Sequence, residues 1–259
     1  MPEIDTLKVS APGRICLFGE HQDYLNLPVI PAAISLRIEI EATPRDDSTV
    51  RINLPGIDDI LQFSLENTEY EEERDYFRSG INVLKRNGYS FSHGLNCTVR
   101  GGIPINSGTS SSTALVTAWI KLLTLISEQN ADISDEKVAK LAHLAEVVEF
   151  NEPGGKMDHY SIALGKIITL DFHPEHTYDV VSQELGTFVL GDSGEPKDTL
   201  GILSRVKDRI LKADKKIKKN DPGFSLFEVD KEDLVKYKSA VDRKEFELLR
   251  GTIENRNLT

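Results

Sequence analysis

The sequence predicts a mixed strand-and-helix protein, on three observations. Strand-like segments crowd the first fifty residues, a long apolar helix follows a Gly/Ser-rich loop at 101–128, and beyond residue 175 the chain turns mostly helical. Taken in order, residues 8–10, 15–18 and 34–42 carry β-branched or alternating apolar residues, punctuated by Pro12, Gly13, Pro28 and Pro31. Leu36, Ile38 and Ile40 alternate strictly with polar neighbours, the period of a half-buried strand. Residues 66–75 are acidic and read as a solvated loop or a helix entry, and 76–87 space Tyr76, Phe77, Ile81 and Leu84 as a helix does. A strand at 95–99 runs into Gly101 and Gly102. Helices follow at 110–128, behind a serine cluster, and at 134–151, opening on Ser134, Asp135 and Glu136. Strands are expected at 166–172 and 187–190, a basic amphipathic helix at 200–219, and one or two more helices over 230–257. The basic run from Lys212 to Lys219 is the solvated face of its helix, because Ile210, Leu211 and Ile217 keep helical spacing.

Composition narrows the partners. The chain has 259 residues, 39% hydrophobic and 28% charged, enough for a real core. Its formal charge of -11 disfavours nucleic acid and anionic membrane, both of which need basic surfaces. A nucleotide ligand stays open, since backbone N–H groups, a helix dipole and a cation can hold polyphosphate. No apolar run approaches the ~20 residues of a membrane span. The opening MPEIDTLKVSAPGR lacks the plan of a secretory signal, and Cys16 and Cys97 read as reduced thiols of a cytoplasmic protein.

Two segments carry chemistry. In GGIPINSGTSSSTALVTAWI, residues 101–120, glycines allow backbone N–H groups to approach phosphate, and the helix start at Ser110 to Thr113 presents the positive end of a dipole. Taken alone, the same residues also describe an ordinary loop with a serine cap. In APGRICLFGEHQDY, residues 11–24, Arg14, Glu20, His21, Asp23 and Tyr24 follow a short apolar strand. Such a cluster either converges on a hydroxylated ligand or forms a charged surface turn. Glu146 and Asp158, twelve residues apart, bracket Pro153, Gly154 and Gly155. By residue type Glu146 is a helix-surface charge or is aimed at a cation, and Asp158 is a helix cap or a catalytic carboxylate.

Together these segments resemble the GHMP kinases (galactokinase, homoserine kinase, mevalonate kinase, phosphomevalonate kinase). GRICLFGEHQDY resembles the first signature, nearest to galactokinases; PINSGTSSSTAL (104–115) the second, phosphate-binding one; EVVEFNEPGGKMDHY (146–160) the galactokinase segment with the metal carboxylate and catalytic aspartate. The resemblance implies an α+β fold of two domains: a ribosomal-S5-like β/α domain over 1–175 that binds ATP, and a C-terminal α+β domain over 176–259. The family's third, glycine-rich signature has no counterpart in 176–259, so that second domain reads as incomplete.

The resemblance also implies roles. Asp158 is the catalytic base or orienter of the acceptor hydroxyl, and Arg14 the cation on the transferring phosphoryl. Gly108, Thr109, Ser110, Ser111, Ser112 and Thr113 bind ATP, and Ser112 (or Ser111) with Glu146 holds Mg²⁺. Glu20, His21, Asp23 and Gly155 bind the sugar, with the anomeric hydroxyl of galactose or a related sugar as acceptor. His159 stands where glutamine is usual, and Lys156 where an apolar residue is. The segment 188–210 lacks a tyrosine-and-paired-arginine run and is closer to mevalonate-type members. Two other readings therefore accompany the sugar kinase: a mevalonate-type kinase and a non-catalytic sugar- and ATP-binding sensor.

Overall fold

Strand alternation builds the sheet that carries the first motif. A computed structural model describes residues 6–105, 107–183, 185–191 and 199–259. β1 (Leu7–Phe18) runs unbroken through Pro12 and Gly13, and β2 (Ile30–Pro44) incorporates Pro31. Along β2, Ile38, Ile40 and Ala42 face the core, while Leu36 is exposed. A hairpin absent from the sequence reading follows: β3 (Thr49–Leu54) and β4 (Asp59–Ser64) pair antiparallel from Thr49↔Ser64 to Leu54↔Asp59. Val50 and Ile52 point inward and Arg51 outward, the period of a half-buried strand.

The acidic 66–75 stretch is a loop, and Asp75 caps α1 (Tyr76–Arg86) by accepting a bond from the Arg78 N–H at 3.2 Å. β5 (Leu95–Gly101) lies antiparallel to β2 and parallel to β3, giving the strand order β1-β2-β5-β3-β4. α2 (Ser111–Ile126) is buried on most sides, as its apolar sequence demands. Trp119 on α2 packs edge-on against Phe77 and donates its indole N–H to the Phe77 carbonyl at 3.0 Å. Gly80 makes that approach possible, because a Cβ there would lie 2.7 Å from the Trp119 ring.

The helix expected over 134–151 is not regular. α3 (Asp135–His143) passes into a wide π-turn at Leu144–Val148, where the Glu149 N–H bonds the Leu144 carbonyl at 2.9 Å. That wider loop leaves the Ala145 carbonyl without its usual helical donor, and the buried Ser79 hydroxyl of α1 supplies one at 2.8 Å.

α4 (Met157–Leu164) is followed by β6 (Ile168–Asp171) and β7 (Thr177–Val180), an antiparallel pair. The strand expected at 187–190 does not form: β6 takes Thr177–Val180 as its neighbour, and Phe188, Val189 and Leu190 are exposed. α5 (Thr199–Lys218) matches the expected basic helix, with Ile210, Ala213 and Ile217 inward. Its lysines are solvated or paired: Lys216 with Glu245, Lys218 with Asp214. α6 (Lys231–Leu234) and α7 (Arg243–Leu258) close the chain, α7 opening on a capping box between Asp242 and Glu245. Of the segment 188–210, compared above with mevalonate-type members, residues 192–198 lie outside the described residues.

Two compact units emerge, interleaved in sequence. One comprises Met1–Ile15, Ala33–Glu152 and Asp158–Gly165; the other Cys16–Ala32, Pro153–Met157 and Lys166–Thr259. The first is built on the Ile40, Ile52, Leu84, Trp119 and Leu123 core, the second on Leu27, Ile217, Phe246 and Leu249. No helix among the described residues is long and apolar enough to cross a membrane.

Candidate active site

In the first unit, Arg14 of β1 and Asp158 of α4, 144 residues apart, form a bidentate pair: Nε on Oδ1 and Nη2 on Oδ2, both at 2.7 Å. The planar guanidinium fork suits a carboxylate's two oxygens in just this way. The third donor, Nη1, bonds the Gly108 carbonyl at 2.6 Å, and the Arg14 backbone N–H bonds the Thr109 carbonyl at 3.2 Å. Arg14 is thereby strapped to the loop preceding α2, and only 8% of its side chain is exposed.

Ser110 is a third member. It caps α2 in position but not in chemistry: its hydroxyl makes no cap bond and instead donates to Asp158 Oδ2 at 2.5 Å. Its backbone adopts φ 59°, ψ 51°, the left-handed region that a non-glycine residue occupies at a cost. The plain serine cap left open by the sequence is excluded. Ser111, Ser112 and Thr113 form the first turn, whose N–H groups have no intrahelical acceptor; the first helical bond is Ala114 N–H to Ser110 O.

Burial pushes the Asp158 carboxyl up, but the Arg14 charge and hydrogen bonds, the Ser110 hydroxyl and nearby His159 outweigh it. The net displacement is below the ordinary carboxylate value. Asp158 is therefore ionised at neutral pH and a weaker base than a free aspartate.

Glu146 does not face solvent. The π-turn buries it, and its Oε2 lies 2.9 Å from Nε2 of the equally buried His159. No described residue donates to its other oxygen, Oε1. Asp158 and His159 are consecutive, so the first turn of α4 carries both the arginine pair and the glutamate pair. Among the described residues no three His, Cys, Asp or Glu side chains converge as a metal cage. A carboxylate oxygen and a serine hydroxyl nonetheless match what Mg²⁺ takes from a protein when phosphate oxygens and water complete its shell. The residues fit that cation.

The second unit holds the polar cluster. Glu20 and His21 are partly exposed, with Nε2 of His21 3.6 Å from Glu20 Oε1, and His21 also sits at positive φ. Asp23 is buried, accepting the Met157 N–H at 3.0 Å at the start of α4. Gly155 packs so tightly on it that a Cβ would come within 1.9 Å of Asp23 Oδ2. Tyr24 is pushed up to about 12, chiefly by burial and then by the charges of Asp23 and Glu20. Lys207 of α5 lies 5.7 Å over its ring and donates to the Pro153 carbonyl at 3.2 Å.

Two family models match this chain. The family model described as GHMP kinases N terminal domain matches residues 75–166, which include the Ser110 loop, Glu146 and Asp158. A second, described as galactokinase galactose-binding signature, matches residues 4–44. Residues 75–166 thus carry a GHMP kinase N-terminal domain.

The chain is 33% identical over 162 residues to the galactokinase of Lactobacillus helveticus, covering 60% of this chain and 41% of that one. It is 30% identical over 222 residues to the galactokinase of Limosilactobacillus reuteri, covering 81% and 56%. The chain thus spans about half the length of these curated relatives. Its fold superposes on the crystal structure of Lactococcus lactis galactokinase complexed with galactose, with a TM-score of 0.82 at 23% identity over 98% of this chain and 68% of that one. Methanococcus jannaschii mevalonate kinase shares the fold at a TM-score of 0.62 and 18% identity, covering 100% and 81%. The α+β fold expected of a GHMP kinase is thereby borne out.

Of the expected site residues, the structure brings together Arg14, Gly108, Ser110 and Asp158, and separately Asp23 with Gly155. Ser112 and Glu146 make no direct bond to each other. Ser79 gives no signal in the sequence beyond a small polar residue on a helix, and His159, a departure expected to reshape the sugar pocket, instead contacts the buried Glu146.

Proposed function

We propose that this chain belongs to an ATP-dependent sugar kinase that transfers the γ-phosphoryl of ATP to the anomeric hydroxyl of galactose or a closely related hexose. On this reading residues 1–175 are the N-terminal GHMP kinase domain and 176–259 a portion of the C-terminal one. The single observation that carries it is the Arg14–Asp158–Ser110 cluster at the start of α2. A cation, an ionised carboxylate and a helix terminus with open N–H groups are the three parts that phosphoryl transfer to an alcohol requires. The galactose preference is supported by the signature matched over residues 4–44 and by the names of the relatives.

The N–H groups of Ser111, Ser112 and Thr113, with the loop from Gly108, hold the β- and γ-phosphates. Ser112 and Glu146 would hold Mg²⁺, which supplies charge neutralisation to the phosphate oxygens when bound. Arg14 faces the negative charge spread over the transferring group. Asp158, already ionised, orients the acceptor hydroxyl and takes its proton as the bond to phosphorus forms. Because Arg14 lowers its basicity, positioning contributes more than proton abstraction. Glu20, His21, Asp23 and Gly155 are assigned to the sugar.

Coupled ADP release with Mg-ATP against a panel of aldoses, uronic acids and mevalonate tests the assignment. Turnover with one hexose that drops by about 10²–10⁴-fold in Asp158→Asn, with nucleotide affinity kept, is the expected result. Turnover with mevalonate, or sugar and ATP binding without turnover, overturns it in favour of another family activity or a sensor.

A further inference from the structure

His159 is the most buried titratable side chain at the site, at 2% exposure, and no role has yet been given to it. Its Nε2 lies 2.9 Å from Glu146 Oε2, and in the tautomer that carries its hydrogen on Nε2 the ring donates to that oxygen. The opposite nitrogen, Nδ1, is buried without a hydrogen-bond partner. The His143 ring stands edge-on to it at 5.1 Å. A buried ring with one polar atom unsatisfied weakens the fold, so the residue is held for what its other nitrogen does.

That nitrogen completes a three-sided clamp on Glu146. The π-turn aims the side chain inward, the Ser79 hydroxyl fixes the turn through the Ala145 carbonyl, and His159 takes Oε2. Only Oε1 is left without a bond from any described residue. We propose that His159 is a positioning residue that pins Oε2 of Glu146 and presents Oε1 to the divalent cation of the bound nucleotide. The inference rests on the kinase reading above. A ligand carboxylate whose outer oxygen is fixed by a neighbour binds its metal in one orientation, and such outer partners commonly govern affinity about 10–100-fold.

The test uses the full chain with Mn²⁺ as probe and a non-hydrolysable ATP analogue, free Mn²⁺ being counted by electron paramagnetic resonance. His159→Met keeps an apolar filling of similar length and removes the donor; His159→Gln keeps an N–H that can reach Oε2. The expected result is Mn²⁺ affinity in the analogue complex about 10–100-fold weaker in His159→Met and near the parent in His159→Gln, with metal-free analogue binding unchanged in both. Equal Mn²⁺ affinity in His159→Met and the parent, or equal loss in both variants, overturns the inference while leaving the kinase reading intact. Failure of the parent chain itself to bind the analogue overturns both. Should His159→Met not fold, as judged by circular dichroism, the ¹⁵N resonance of His159 in the parent decides. It should shift when Mg²⁺ joins the analogue complex, and a resonance that stays put overturns the inference.

Discussion

The Ser110 hydroxyl donates to Asp158 Oδ2 at 2.5 Å from a backbone held at φ 59°. The strained conformation and the bond belong together. A helical Ser110 would turn its side chain along α2, and a glycine would relax the strain but offer no hydroxyl.

Replacing Ser110 therefore separates the two effects. Ser110→Ala keeps the Cβ in the left-handed region and loses the bond, whereas Ser110→Gly loses the bond and the strain together. In urea denaturation Ser110→Gly should be more stable than Ser110→Ala by about 1 kcal/mol. Both should turn over more slowly than the parent, since Asp158 loses one of its three anchors. Equal stabilities would mean that the backbone is not strained there.

The pH dependence follows from the Arg14 pair. A carboxyl whose folded value is depressed adds stability that is present above its unfolded value, about 3.9, and is lost as pH falls through the folded value. The stability gap between the parent and Asp158→Asn should thus be constant near neutrality and shrink below about pH 4. A gap unchanged across that range would show that Asp158 is not depressed. For the same reason, no loss of turnover above about pH 5 should trace to protonation of Asp158.

Gly155 has no room for a side chain. In Gly155→Ala the new Cβ would meet Asp23 Oδ2 at 1.9 Å, so the loop or the carboxylate must move and the bond from the Met157 N–H is lost. Stability should fall by about 1–3 kcal/mol, the usual range for overpacking. Galactose binding by calorimetry should weaken while nucleotide binding holds. Parent-like values for both would remove Gly155 and Asp23 from the sugar assignment.

Ser79→Ala leaves the Ala145 carbonyl buried and without a donor, because the π-turn denies it the helical one. A loss of about 1–3 kcal/mol is expected in chemical denaturation. A neutral effect would indicate that water reaches the turn.

Much of the chemistry was legible because it depends on residue types close in sequence. The Gly/Ser loop, the paired carboxylates and the GEHQDY cluster each stand within a short window. What was illegible depends on partners far along the chain. Nothing in Arg14 announces a bidentate bond to a residue 144 positions away. β3 and β4 alternate over only six residues each, and nothing within so short a run marks the partner with which it pairs. The 187–190 stretch has strand composition but no paired neighbour, and pairing is not a local property. The π-turn reads as plain helix in LAHLAEVVEF, because one extra residue in a turn leaves the apolar spacing nearly unchanged.

The neighbouring positions of Asp158 and His159 fix the phase of a helix as two screws fix a hinge. Each residue added ahead of Asp158 within α4 would turn the helix by about 100° relative to its anchors and break both pairs at once. The loop over 153–156 lies before that phase is set, so a change there need not turn α4, provided that Gly155 keeps its close fit against Asp23. Engineering of acceptor choice in this chain should therefore change the loop and leave the count from Met157 onward untouched.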